Sequence, residues 1–357
     1  MATRELDSPP SLTAIYPKAF AGVVLELPRK LPGLGRGGEP ELPDDELVVR
    51  DVDVDREDLA HYDRVCGFRL TDELPPTYPH MIAFPLAMEL MTQRSFPFPV
   101  VGLVHVRNRI EQTRPLRADE PLTVAVHAAN LEQHAKGRQF EIVAEGRAGD
   151  EPVWSSVSTY LSRGGGSGEG SDGDDDSGQK QKRKQKQKGP PRPEAIWKVE
   201  GDIGRRYASV SGDRNPIHIH PLTARLFGFP RPIAHGMWLK ARCLAALEGE
   251  LPGACEVDVS FKLPLLLPAK VAFSSEPKGS GRAFAVHDAK NGKPHLTGTV
   301  AATSRPPHAR ALRYARRVSA SAAGAGRSPA KHRRWRRPAA RTASRRCPPR
   351  WRARRRP

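Results

Sequence analysis

The sequence predicts an α+β protein in which one unit, a long helix packed against an antiparallel sheet, occurs twice. Two observations carry this. YDRVCG at Tyr62–Gly67 returns as YASVSG at Tyr207–Gly212, and such an internal return is the mark of a repeated structural unit. Behind each copy comes Pro-containing loop sequence, then an apolar helical stretch, then segments with the two-residue alternation of half-buried strands.

In chain order, residues 1–46 are rich in Pro and Gly (LPRKLPGLGRGGEPELPDDE) and read as a flexible N-terminal arm. Residues 47–163 make the first unit, with its helix in FPLAMELMTQ and its strands in VHVRNRIEQTRPLRADEPLTVAVHAANL, FEIVAEGRA and VWSSVSTYL. Residues 164–193 run GGGSGEGSDGDDDSG and then QKQKRKQKQKG. Neither block can bury a core, so the segment reads as a charged, flexible linker. Residues 194–304 make the second unit: a short helix in DIGRRYASVSG, helical sequence in PLTARLFGF and HGMWLKARCLAALEG, and strands in EVDVSFKLPLLLPAKVAFSSE, AFAVHDA and HLTGTVAAT. Residues 305–357 lack periodicity and consist mainly of Arg, Ala, Pro, Ser and Gly. They read as a disordered tail whose composition is that of GC-rich DNA translated in a wrong frame, with a nucleic-acid-binding arm as the competing reading. An intact mass that includes the full tail would refute the wrong-frame reading.

The net charge of +18 first suggests a nucleic-acid partner, but its location argues otherwise. The tail carries nineteen Lys and Arg and no Asp or Glu, and removing it leaves residues 1–304 at −1. No nucleic acid is therefore expected at the folded body. The four cysteines, Cys66, Cys243, Cys255 and Cys347, show no metal or disulfide spacing and fit a reduced, cytoplasmic protein. The N-terminus lacks the layout of a signal peptide and no apolar run is long enough for a bilayer, so no membrane partner is expected.

The chemistry concentrates in YASVSGDRNPIHIH, residues 207–220. Gly212 permits a tight turn and Pro216 ends any preceding helix. Asp213 and His218 are close enough along the chain to converge on one small molecule, and a carboxylate and an imidazole holding a water between them form an acid–base pair. Burial and mutual charge would tune both groups toward neutral pH. Asn215 is expected to support the loop through its side-chain amide, and Ser211 to do the same from the end of the preceding helix. His235 is expected to orient the loop before Gly236, whose N–H opens a helix and suits a developing oxyanion. Taken alone, Asp213 and His218 would be a capping carboxylate and a loop histidine; the surrounding pattern lifts them above that. His218 and His220, with Asp213 or His235, could mimic a two-His, one-carboxylate metal site, but no further Cys/His cluster supports one. The expectation is no metal and no cofactor. Arg107, Arg109, Arg114 and Arg117 read as a solvated face, with coenzyme A phosphates as the competing reading.

GDRNPIHIHPLTARLFGFPRPIAHGM resembles the hydratase signature of the MaoC-like, hotdog-fold family, which includes R-specific enoyl-CoA hydratases. The duplicated layout, with TYPHMIAFPLAM early and HLTGTV late, resembles the double-hotdog 3-hydroxyacyl-thioester dehydratases of actinobacteria over residues 47–304. The resemblance implies a double hotdog and reversible hydration of trans-2-enoyl thioesters on coenzyme A or acyl carrier protein. It also implies Asp213 and His218 as the catalytic pair and Gly236 as the oxyanion donor. Aligning the two repeats places Phe68 opposite Asp213, Leu70 opposite Asn215 and Glu73 opposite His218, so the first unit is expected to be a degenerate hotdog without chemistry. Met81, Phe84, Met88, Phe96 and Phe98 are its candidate tunnel-lining residues. The two hotdogs are expected to pair within the chain, with a homodimer open. A hotdog thioesterase and a non-catalytic acyl-binding subunit are the competing functions; Glu248 is the one acid late in the long helix.

Overall fold

A computed structural model describes residues 2–26, 39–163 and 192–303. The expectations for the linker core and for the tail lie outside these residues. Two strands and a helix precede and open the first half: β1 (Ala2–Leu6), α1 (Leu12–Glu26) and β2 (Asp45–Val52). There follow α2 (Arg56–Cys66), β3 (Glu73–Leu74), α3 (Pro79–Met91), β4 (Val104–Gln112), β5 (Leu116–Arg117), β6 (Leu122–His134), β7 (Gly137–Ala148) and β8 (Glu151–Arg163). The second half runs β9 (Ala195–Val199), α4 (Ile203–Ser211), α5 (Pro216–Ile219), α6 (Pro221–Leu226) and α7 (Gly236–Ala246). It closes with β10 (Cys255–Phe261), β11 (Ala269–Lys278), β12 (Gly281–Asp288) and β13 (Pro294–Ala302).

Eleven strands make one continuous sheet in the order β1-β2-β6-β7-β8-β4-β10-β13-β12-β11-β9. The order reveals the duplication directly. Outward from the centre, β4-β8-β7-β6-β2 is matched by β10-β13-β12-β11-β9, the same connectivity used twice and joined where β4 and β10 run antiparallel. This is a double hotdog: each half wraps its sheet around one central helix, α3 or α7. Both helices are apolar around most of their circumference, as a helix enclosed by a sheet must be. Met237, Trp238, Leu239, Ala241, Cys243 and Leu244 are all buried on α7. The repeat-equivalent tyrosines Tyr62 and Tyr207 meet between the halves with ring centroids 6.3 Å apart. Each buried hydroxyl finds a partner, Thr77 Oγ1 at 2.8 Å and Met81 Sδ at 3.6 Å.

The central seam is polar within as well as apolar. Lys240 of α7, fully buried, donates to Asn108 Oδ1 at 2.6 Å and to the carbonyls of Asn108 and Val257 at 3.2 and 3.1 Å. The Asn108 amide donates in turn to Ser156 and Ser158 Oγ. One side chain of the second half thus ties together β4 and β10 from the inside, with every donor matched.

One reading needs correction. Residues 1–46 are not a loose arm throughout: β1 adds to the sheet edge in parallel with β2, and α1 packs Ile15, 1 % exposed, into the core. Pro17 and the Gly-rich sequence behind the helix hide it from pattern reading, while the apolar Leu12, Ile15 and Ala19 give it a face to bury. The four arginines stay solvent-accessible, Arg107 and Arg117 by more than half, and each is paired with acids. Arg107 pairs with Asp258, Arg109 with Glu256, Arg114 with Glu120 and Glu151, and Arg117 with Asp119, at 2.5–3.2 Å.

Candidate active site

The loop between α4 and α7 builds the site. Helix α4 ends on Gly212 at φ 71°, a left-handed C-cap that suits glycine. The turn leaves Ser211 Oγ donating to the Tyr207 carbonyl at 2.8 Å and accepting the Asp213 N–H at 3.1 Å. Asn215 caps α5, its Oδ1 accepting from Ile217 N–H at 3.4 Å, and Pro216 occupies the first helical position where no N–H is needed. This short helix turns His218 inward, to 9 % exposure. It rests directly on α4: a Cβ on Gly204 would lie 2.1 Å from the His218 carbonyl oxygen.

Asp213, His218 and His235 converge, with one polar atom from each lying within 4.8 Å of the others. His218 and His235 stack with centroids 3.6 Å apart. Two carbonyls fix their tautomers, because a carbonyl only accepts. His218 Nδ1 donates to Ile233 O at 2.8 Å, which leaves Nε2 as the lone-pair nitrogen. His235 Nε2 donates to Asp213 O at 3.0 Å and stands 3.7 Å from Asp213 Oδ2.

Burial sets the charge states. It lowers His218 below the ordinary imidazole value, with Asp213 and the Ile233 contact opposing. It drives His235 down to about 3, aided by the His218 ring and opposed by Asp213, so His235 is a neutral strut. Burial disfavours ionised Asp213, but the two rings, the Asn215 N–H and the Tyr16 hydroxyl prevail and hold its carboxyl below the usual range. The arrangement is a carboxylate beside a neutral imidazole that can accept a proton. The same three side chains, Asp213, His218 and His235, each offer one atom that could ligate a metal ion. His220, suggested as a ligand by its spacing, is exposed and caps α6 by accepting Leu222 N–H at 3.2 Å.

Gly236 opens α7 immediately after His235, and no side chain caps this helix. A Cβ there would meet the Phe261 ring at 3.0–3.2 Å, so the backbone and the ring are in contact only because residue 236 is glycine. Phe261 leads into an aromatic row: His105 at 5.0 Å, Tyr160 at 4.7 Å from His105, Phe140 at 5.8 Å from Tyr160, and Phe96 and Phe98 at 5.2 and 5.4 Å from Phe140. Two of the five residues named as tunnel lining, Phe96 and Phe98, thus fall at its far end, and Met81 lies against Tyr207.

Several groups around Asp213 escaped sequence reasoning. Tyr16 on α1 donates to Asp213 Oδ1 at 2.9 Å. His80 on α3 and His105 on β4 are buried and pushed down to about 4 and about 3, chiefly by burial, while the Asp213 charge acts on both. All three come from distant segments, and nothing in their local sequence marks them. The residues opposite the motif in the first half lie elsewhere in the fold. Phe68 is buried beside Tyr62, and Glu73 pairs with Arg117 in the two-stranded sheet. Among the described residues the Asp213 cluster stands alone as a group of convergent ligating side chains.

Comparison with known proteins agrees with this architecture. A family model described as MaoC like domain matches residues 180–299. The chain is 35 % identical over 283 residues to 3-hydroxyacyl-thioester dehydratase X of Mycobacterium tuberculosis, covering 79 % of this chain and 95 % of that one. It is 36 % identical over 74 residues to the (R)-specific enoyl-CoA hydratase of Aeromonas caviae, 20 % of this chain and 55 % of the hydratase. The crystal structure of HtdX of Mycobacterium tuberculosis superposes with a TM-score of 0.63 at 33 % identity, covering 72 % of this chain and 100 % of HtdX. With the repeated sheet order and the loop geometry, these similarities place the chain in the MaoC-like family of hydratases and dehydratases, in its double-hotdog form.

Proposed function

We propose that the chain is a hydro-lyase that adds water to trans-2-enoyl thioesters and removes it from (R)-3-hydroxyacyl thioesters, with one site per chain formed by Asp213 and His218. The observation that carries this reading is the tautomer of His218. Its Nδ1 is committed to the Ile233 carbonyl, so Nε2 is presented as a base beside the Asp213 carboxylate. In hydration, Asp213 accepts one hydrogen of the water and orients it, and Nε2 takes the other as oxygen bonds to C3. The electrons of the C2–C3 double bond move to the thioester oxygen, where the Gly236 N–H stabilises the enolate. The imidazolium, held beside Asp213, then returns its proton to C2. One water supplies both the hydroxyl at C3 and the hydrogen at C2, and the dehydration runs the same steps backwards. His235 and Ser211 hold the Asp213 backbone throughout. No step calls for a metal or redox cofactor.

The relatives named as thioester dehydratases and an enoyl-CoA hydratase support an acyl thioester as substrate. Coenzyme A and acyl carrier protein are both chemically suitable carriers, and fatty-acid metabolism is the setting that such a substrate implies. A thioesterase would need an acid aimed at the carbonyl from the central helix. Glu248 lies beyond the end of α7 and is engaged with Arg69, accepting its N–H at 3.1 Å. The test is to incubate the protein with crotonyl-CoA and follow free thiol beside the chirality of the 3-hydroxy product. (R)-3-hydroxybutyryl-CoA without thiol release is expected; thiol release with the double bond intact would replace the hydratase by a thioesterase.

A further inference from the structure

We propose that Tyr16, carried on the N-terminal helix α1, is a positioning residue for the hydration site that fixes the Asp213 carboxylate from outside the hydratase motif. The proposal rests on the reading of Asp213 and His218 as the water-handling pair. Its basis is a two-way hydrogen bond. The Tyr16 hydroxyl accepts the Arg214 N–H at 2.6 Å and stands 2.9 Å from Asp213 Oδ1. Its single proton is thereby directed to the carboxylate, because the backbone N–H already supplies the other contact. Oδ1 also accepts the Asn215 N–H at 3.2 Å. With Oδ1 held twice, Oδ2 is the oxygen left facing His235 and the stacked rings.

The helix that brings Tyr16 is seated on the turn it serves. Leu12 Cδ1 lies 2.3 Å from where a Cβ on Gly212 would stand, and the neighbouring Ile15 is 1 % exposed. Tyr16 thus arrives from a helix anchored on both sides of the site. Burial and the Asp213 charge raise its hydroxyl far above the ordinary tyrosine value, so it remains a donor at every working pH. A donor that never ionises favours the charged carboxylate without competing for the proton in transit. That is the property of a positioning group and not of an acid or base.

Other titratable and charged groups also face or adjoin Asp213, and Tyr16→Phe leaves all of them in the sequence. They are Arg214 beside it, His218 and His235 stacked within reach, Tyr207 on α4, Tyr160 on β8, and His80 and His105 from the first half. A change on removing one oxygen atom therefore reports that oxygen.

The experiment uses the full chain and Tyr16→Phe, which keeps the ring and its packing. Hydration of crotonyl-CoA is measured across pH, and Asp213 is titrated by carbon NMR of its carboxyl in both proteins. We expect kcat to fall about tenfold with KM within about twofold, the loss of one hydrogen bond to a charged group. We also expect Asp213 to titrate higher in Tyr16→Phe, by about one pH unit. Unchanged kcat with unchanged titration overturns the proposal, and so does a rise in kcat, which would make the hydroxyl an obstacle to water or substrate. If the wild-type chain hydrates no enoyl thioester, the functional reading fails on that ground alone. The carboxyl titration still decides whether Tyr16 holds Asp213.

Discussion

At the residue scale, the chemistry depends on which nitrogen of His218 is free. The Ile233 carbonyl leaves Nε2 as the lone-pair nitrogen, and in the proposed reaction this makes the two members of the pair unequal: Asp213 would orient and stabilise, while His218 would carry the proton. Replacing His218 by Ala is expected to lower kcat by about 10²–10⁴-fold, the range for a positioned acid–base group, with circular dichroism unchanged. Protonating Nε2 removes the base, so hydration falls as pH drops through the His218 pKa. Because burial lowers that pKa, the acid limb of kcat/KM should lie below the ordinary histidine value of about 6.5. A limb above 6.5 would contradict the assignment. Asp213, Asn215 and His218 could be singled out in the sequence as candidates because they share one short stretch with the turn residues Gly212 and Pro216, and Gly236 because it follows His235 ahead of an apolar helix. Tyr16 was not, since a single tyrosine before a proline carries no sign of where its helix will lie.

At the element scale, the position of His218 is set by the close seating of α5 on α4. Gly204→Ala would force a methyl group into the His218 carbonyl, which is backbone and cannot swing aside. We expect about 1–3 kcal/mol of destabilisation in urea and a loss of activity well beyond that of an exposed Gly-to-Ala change on the same helix. An unchanged activity would mean that α5 tolerates displacement. Lys240 shows how an element's environment overrides its sequence. Nothing in WLKARCLAAL marks this lysine, yet α7 is enclosed by the sheet of its half and the amine ends inside the seam. Burial lowers its pKa to about 7, below the unfolded value of about 10.4. Between those values the unfolded chain holds a proton that the folded chain has released, so folding stability gains from this group as pH rises from about 7 to 10. Lys240→Met should flatten that part of the stability profile; a profile parallel to wild type would refute it.

At the scale of the whole molecule, the two halves share one continuous sheet, and the proposed chemistry lies in the second. Alternation, helix content and the Tyr62–Gly67 and Tyr207–Gly212 repeat made the duplicated unit readable. That the two hotdogs pair within the chain was expected; that β4 and β10 are the strands that join them was not, because strand partners distant in sequence leave no local pattern. Val257 and Val259 of β10 are fully buried at that seam. Residues 192–303 produced alone would expose the backbone edge of β10 that now pairs with Arg107–Gln112 of β4. That fragment is expected to aggregate or self-pair and to lack turnover, as judged by light scattering beside the hydration assay. A monomeric, active fragment would show the first half to be dispensable.

The measurement that tests the central claim most directly is loss of enoyl-thioester absorbance when the purified protein meets crotonyl-CoA and a longer trans-2-enoyl-CoA, beside Asp213→Asn and His218→Ala. The account predicts turnover by the wild-type chain that is abolished or reduced by orders of magnitude in both variants, with folding intact. Turnover that survives either substitution would contradict it.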